Sequence, residues 1–329
     1  MKFGAVPLAK AEGGILAHSV ATPNGRLRKG LVLDAAHIAQ LEAAGLSDVV
    51  IARLDADDLH ENIAAATLAQ ALAENAPAIT LTRPFTGRVN LIADAPGVVV
   101  LDVAALHAAN AVHPMITVAT VPHLHQSRPK GLIATVKIIA YGVPQKALNE
   151  AAQIARGAIR LATPQLRTAS LIITDTPGGP GDKGQDAIAA RLEALNMTLG
   201  EVLRVSHDEA AIAGALNCAT GDLVLILTAS ATSDVHDTAP AALRSAGGAI
   251  TRFGMPVDPG NLLFLGHLGS RPVIGLPGCA RAPALNGADW VLARIACGLE
   301  VSSADIAGMG VGGLLKEIPT RPMPRRSKQ

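Results

Sequence analysis

From about residue 169 onward the chain alternates short aliphatic runs with segments of helical period. That alternation limits the available folds more than any other feature. The runs "ASLIITD" (169–175), "GEVLRVS" (200–206), "GDLVLILTA" (221–229), "AITRFG" (249–254) and "RPVIGLPG" (271–278) read as strands. Between them, "QDAIAARLEALN" (185–196), "HDEAAIAGALN" (207–217) and "DTAPAALRSAG" (237–247) read as helices. Strand and helix in alternation imply parallel strands, right-handed crossovers and helices on both faces of one sheet. In such a sheet the ligand crevice lies beyond the carboxyl ends of the strands.

The most apolar run shows what that edge carries. After Leu223–Leu227 the sequence turns to Thr228, Ala229, Ser230, Ala231, Thr232 and Ser233, then to Asp234, His236 and Asp237. Small side chains there let the backbone approach a ligand, and amides at the start of a helix favour anions. Asp237 reads equally as the N-cap of the next helix. Asp208 opens the helix after "GEVLRVS" and has the same two readings. "MPVDPGNLL" (255–263), with Asp258, Pro259, Gly260 and Asn261, follows another strand. "GLPGCARAP" (275–283), with Pro277, Gly278, Cys279 and Arg281, follows the last one. Together these loops are expected to line one pocket.

The first half is mixed. "DAAHIAQLEAAG" (34–45) predicts a helix with Asp34 as N-cap and Gly45 as its stop. "SDVVIARL", "GVVVLD", "MITVATV" and "LIATVKIIAYG" predict strands, and "DLHENIAAATLAQALAEN" a helix. A long helix is expected over "PQKALNEAAQIARGAIRLA" (144–162), leading to a boundary at Thr163-Pro164. The expected organisation is a mixed α+β domain over 1–164, a doubly wound, mostly parallel α/β domain over 165–300, and a C-terminal extension with a basic tail over 301–329.

Composition removes several function classes. A formal net charge of +1 gives no electrostatic footprint for nucleic acid or an anionic membrane, and aromatics at 2% leave few rings on which bases could stack. No apolar stretch reaches the roughly 20 residues that span a bilayer. Cys218, Cys279 and Cys297 show neither disulfide nor zinc spacing. A cytoplasmic protein is expected.

Other candidates have bland readings. His123 and His125 of "HLH" would share one strand face, yet two ligands without a third are better read as surface histidines. Asp234 and His236 read as solvent-facing. Cys279 reads as a small buried residue, because no base is identifiable beside it. "PGGPGDKG" (177–184) lacks the Gly-Lys-Ser/Thr ending of a phosphate loop and reads as a loop with Asp182 as a helix cap. "GMGVGG" (308–313) reads as a turn.

The second half resembles molybdopterin-binding proteins of the MoeA/MogA type. The family's Gly-Gly-x-Ser/Thr followed by Asp corresponds to Ala229-Ser230-Ala231-Thr232 and Asp237. Its Lys-Pro-Gly-Lys-Pro loop corresponds to Asp258-Pro259-Gly260-Asn261, and its Gly-Leu-Pro-Gly-Asn-Pro loop to "GLPGCA" (275–280). An acidic residue before the second helix corresponds to Asp208. Alanine and serine thus replace the paired glycines, Asp258 replaces a lysine, and Cys279-Ala280 replaces Asn-Pro. The first half is more loosely similar, through "AEGGILAHSV" and "RLRKGLVLDAAHIAQLEAAG".

The resemblance implies a MogA-like domain acting in molybdenum cofactor biosynthesis. It would bind the pterin phosphate, or its nucleotide form, through Thr228–Ser230, Thr232, Asp258–Asn261, Pro277–Cys279 and Arg281. Catalysis would fall to Asp208 and Asp237, with a Mg²⁺ ion on those carboxylates or on Asp258 offsetting the lost lysine. The chemistry implied is adenylylation of the pterin or cleavage of the adenylylated form. A non-catalytic carrier or sensor serving a molybdenum cofactor nucleotidyltransferase is the alternative, and a nucleotide pyrophosphatase a third. The family implies a homo-oligomer.

Overall fold

A computed structural model describes residues 1–315. The expected basic tail (321–329) lies outside the described residues. The chain divides into two compact units, the first made of 1–95 and 99–161 and the second of 96–98 and the residues from 162 onward.

Residues of the first unit build antiparallel sheets, and helices cover them. Lys2–Pro7, Asp48–Arg53 and Ile15–Leu16 form one sheet, with Asp48–Arg53 in the middle. Beside it the Ala35–Ala43 helix starts at Asp34, whose carboxylate accepts from the His37 N–H, and Gly45 follows its end at φ +78°. In a second sheet Leu132–Ile138 lies between Ile116–Thr120 and Arg88–Ala93. The Glu61–Leu72 helix packs on that sheet through buried Leu68 and Leu72, which share a core with Leu91, Ile133, Ile138 and Leu148.

The long helix expected over 144–162 stops early. It runs Gln145–Ile154, and Gly157 at φ +66° breaks the chain out of helical geometry. Ile159–Ala162 is then a strand, with Ile159 and Leu161 buried and Arg160 exposed between them. That alternation has period two, and it was hidden by the helical period before it.

The second unit is built on a six-stranded sheet. Its spatial order is Thr198–Ser206, Thr168–Asp175, Leu223–Leu227, Arg271–Leu276, Phe264–Leu268 and Ala249–Phe253. All run parallel except Phe264–Leu268, which sequence periodicity had missed. The exception has a local cause. Only Gly269 and Ser270 separate Phe264–Leu268 from Arg271–Leu276, and Gly269 takes φ +60°. A two-residue link makes a hairpin, which is antiparallel, where a crossover needs a dozen residues or more.

Leu223–Leu227 sits at the centre, between two parallel neighbours, and all five side chains are fully buried. Both faces are covered, so the strand reads as a continuous aliphatic run rather than an alternating one. The Glu209–Cys218 and Thr238–Ser245 helices contribute Ile212, Leu216, Ala242 and Leu243 to the core that meets it. Gly275, on the neighbouring strand, faces the ring of Phe264, which fills the space a side chain would take. Among the described residues no helix is long and apolar enough to cross a membrane.

That Gly–Phe contact makes a prediction. Gly275→Ala would drive a methyl group into the Phe264 ring and should destabilise the protein by about 1–3 kcal/mol, as overpacked cores do. Urea melts of the two proteins check it. An unchanged midpoint would mean that the sheet is not packed this way.

Candidate functional site

The chain enters the sheet at Thr168–Asp175, crosses to Thr198–Ser206 on one side, and then returns to Leu223–Leu227 on the other. The strand order therefore reverses between the first and third of these strands, which is the position where doubly wound sheets bind ligands. Register fixes what meets there. Asp175 stands beside Ser206, Ile173 beside Leu227, and Leu227 beside Leu276. The next residues along each strand, His207, Thr174, Thr228 and Pro277, consequently emerge at one rim.

Thr174 is fully buried and organises that rim. Its Oγ1 accepts the Ala229 N–H at 2.8 Å and lies 2.9 Å from Nδ1 of His207. On the far side of the imidazole, Nε2 lies 3.0 Å from the exposed Ser230 Oγ. Thr228 turns the loop inward: its hydroxyl donates to the Ser230 carbonyl at 2.6 Å, with the buried Thr232 hydroxyl 3.4 Å away. Beyond this turn, the N–H groups of Ser230, Ala231 and Thr232 have no protein acceptor among the described residues.

Arg281 closes the other side. It ends the short turn Gly278–Arg281 after the Arg271–Leu276 strand. One guanidinium nitrogen donates to the Thr228 carbonyl at 2.8 Å and another to the carbonyl of Lys183 at 2.5 Å. No carboxylate among the described residues forms an ion pair with it. Burial lowers its pKa, and nearby Asp175 partly opposes that shift. Gly184 makes the approach feasible, since it takes φ +106° and a Cβ there would lie 2.8 Å from the Arg281 Cα.

Both expected caps form. Asp208 accepts from the Ala211 N–H at 2.9 Å. Asp237 accepts from Ser233 N–H at 2.9 Å and Thr238 N–H at 2.7 Å. These bonds hold both carboxyls below the usual range: for Asp237 the Ser233 N–H acts most strongly, for Asp208 the Ser206 side chain. The His207 imidazole adds a smaller pull on each, so both carboxylates lie within its field.

The remaining candidates are distributed unevenly. Thr228, Ala229, Ser230, Thr232, Pro277, Gly278, Cys279 and Arg281 belong to adjacent strand ends. Asp258, Pro259, Gly260 and Asn261 follow the Ala249–Phe253 strand, which stands three strands from Leu223–Leu227, roughly 14 Å at ordinary strand spacing. There the Pro259 carbonyl accepts the Gly287 N–H, and a Cβ on Gly260 would fall 2.7 Å from that nitrogen. The Asp258 backbone pairs with Gly313 and Leu315. Pro259 and Gly260 are buried, Asp258 is half-buried and Asn261 exposed, and the strand before them lies three strands from Leu223–Leu227, so one pocket shared by all the candidate loops does not follow from the sheet order.

Contrary to the expectation that Asp182 caps the following helix, Gly184 occupies that position and Asp182 pairs with Arg204. Asp234 and His236 are exposed, and Cys279 is half-buried. His123 and His125 lie in a turn rather than on a strand, where His123 Nδ1 accepts the Leu101 N–H. Sequence reasoning missed Thr174, Asp175, Lys183 and His207. A polar residue ending the buried run "LIIT", and a histidine directly after "VLRVS", were the available signals. Among the described residues no group of three or more His, Cys, Asp or Glu side chains is gathered to hold a metal.

The second unit is an α/β fold whose mostly parallel sheet reverses its strand order beside Thr168–Asp175. Residues 5–53, in the first unit, match a family described as a domain of unknown function (DUF8806). No curated protein matches the chain. Among solved structures, the chain is similar to a MoeA molybdopterin biosynthesis protein from Pyrococcus horikoshii at 13% identity, covering 84% of this chain and 70% of that one with a TM-score of 0.28. A molybdenum cofactor biosynthesis protein from Pyrococcus furiosus matches at 13% identity over 93% of this chain and 65% of its own length, with a TM-score of 0.24. The chain thus spans about two thirds of the length of these structures. Scores this low do not establish a common fold.

The Asp237 cap is directly testable. Asp237→Ala should lower stability by about 1 kcal/mol at neutral pH. Because the folded carboxyl is held below its unfolded value of about 3.9, the stabilisation is complete above roughly pH 5 and disappears as pH falls through the lowered folded value. Urea melts should therefore show the gap to wild type closing in acid. A gap that persists unchanged at pH 2 contradicts the assignment.

Proposed function

We propose that the second unit binds a phosphorylated pterin, molybdopterin or its nucleotide form, at the rim between Thr174 and Arg281, and that the protein acts in molybdenum cofactor biosynthesis. The observation that carries this reading is Arg281. Its guanidinium is held by the carbonyls of Thr228 and Lys183 and lacks an ion-pair partner among the described residues, and the loop that Thr228 opens carries three N–H groups without protein acceptors. A half-buried cation fixed by its neighbours, bonded to the residue that opens a loop with unengaged amide donors, suits an anion with several oxygens.

The pterin is favoured over other phosphorylated ligands by the sequence resemblance, which rests on "ASAT" (229–232) and "GLPGCA" (275–280) at the ends of two adjacent strands. The domain would then be MogA-like in role, with ligand contacts from Thr228–Ser230, Thr232 and Pro277–Arg281. The Asp258–Asn261 loop would contribute only to an extended ligand that reaches along the sheet edge.

Magnesium fits the residues poorly as a resident ion, because Asp208 and Asp237 are engaged by helix amides. If present, it would arrive on the ligand's phosphates, which with water supply most of the oxygens that the ion prefers.

Arg281→Ala should weaken binding of purified molybdopterin about 10- to 100-fold in titration calorimetry, the range expected for one charged hydrogen-bonding group. Arg281→Lys should restore only part, since an ammonium cannot reproduce the planar fork. Equal affinity in all three proteins would remove the reading.

A further inference from the structure

One arrangement at the rim takes no part in holding an anion. Ser230 Oγ, the His207 ring and Thr174 Oγ1 form a continuous chain, with 3.0 Å and 2.9 Å between successive partners. They come from three adjacent strand ends, and the buried Thr174 anchors the chain beneath the exposed serine. Thr174 Oγ1 already accepts the Ala229 N–H, which leaves its second lone pair for an Nδ1–H donor. With that tautomer, assigned from the hydrogen-bond network, Nε2 is the acceptor facing Ser230.

We propose that Ser230 is a nucleophile toward phosphorus, with His207 as its general base and Thr174 as the positioning residue that orients the imidazole. The substrate class is a phosphate ester or anhydride held at this rim, a choice that rests on the anion-binding reading above. In the first step Ser230 Oγ bonds to phosphorus, the bond from phosphorus to the leaving oxygen breaks, and the serine proton passes to His207 Nε2. His207 then gives that proton to the leaving oxygen. Water attacks the phosphoserine in the second step, transferring its proton through His207, and Ser230 regains its hydrogen as phosphate departs.

The surroundings suit both stages. Arg281, held through the Thr228 carbonyl, supplies positive charge for the phosphoryl oxygens. The pair meets the geometric requirement for an activated hydroxyl, with nucleophile and base in hydrogen-bond reach and the base oriented by a third group.

The test treats the full chain with diisopropyl fluorophosphate and follows it by intact mass and peptide mapping. The expected result is one adduct per chain on Ser230, with fluoride released. His207→Gln should slow labelling about 100-fold or more, in the range of general-base contributions. Thr174→Val should also slow it, while Thr174→Ser, which retains the hydroxyl, should restore it; a purely packing role for Thr174 would not follow that pattern. Circular dichroism confirms that each variant is folded. Absence of a Ser230 adduct on folded protein, or labelling that His207→Gln leaves unchanged, overturns the proposal. The reagent carries neither pterin nor charge. Labelling without pterin binding therefore keeps the nucleophile and removes the pterin, and binding without labelling does the reverse.

Discussion

The burial of Leu223–Leu227 on both faces constrains everything around it. Five aliphatic side chains with no solvent exposure hold this strand between Thr168–Asp175 and Arg271–Leu276, so the register of all three is fixed. A one-residue slip would exchange the faces of every side chain along a strand. Fixed register in turn makes Thr174, Thr228 and Pro277 emerge together at one rim. The change from leucine and isoleucine to threonine, alanine and serine marks where the covering helices stop and the backbone must find polar partners.

Those partners come from the rim's own side chains. Thr174 receives the Ala229 N–H, Thr228 donates to the Ser230 carbonyl, and Arg281 satisfies the Thr228 carbonyl. The loop is thereby held in a shape that leaves the amides of residues 230–232 without protein acceptors. The same bonds place Ser230 against His207. Structural support and chemical potential come from one set of hydrogen bonds, so removing Thr174's hydroxyl would disturb both the loop and the histidine.

How much of this was legible in the sequence depended on how local each signal was. The helices beginning at Asp34, Asp208 and Asp237 were readable because a cap is decided within about four residues. The central strand was readable because burial on both faces writes a continuous aliphatic run. Phe264–Leu268 was not, since its direction depends on a two-residue hairpin rather than on its own composition. Ile159–Ala162 was concealed by the helical period of the residues before it. The association of Thr174, His207 and Ser230 was beyond reach, because it spans three strands and follows from register alone. Asp258 shows the converse. Its loop matched a motif in sequence order, while the sheet order carries it to the far strand.

Hydrogen–deuterium exchange of the full chain with and without molybdopterin addresses the central claim most directly, because it reports which amides a ligand protects. Slower exchange confined mainly to residues 228–233 and 278–284 is the expected outcome. Unchanged exchange at saturating ligand, or protection located only in the first unit, would contradict the account.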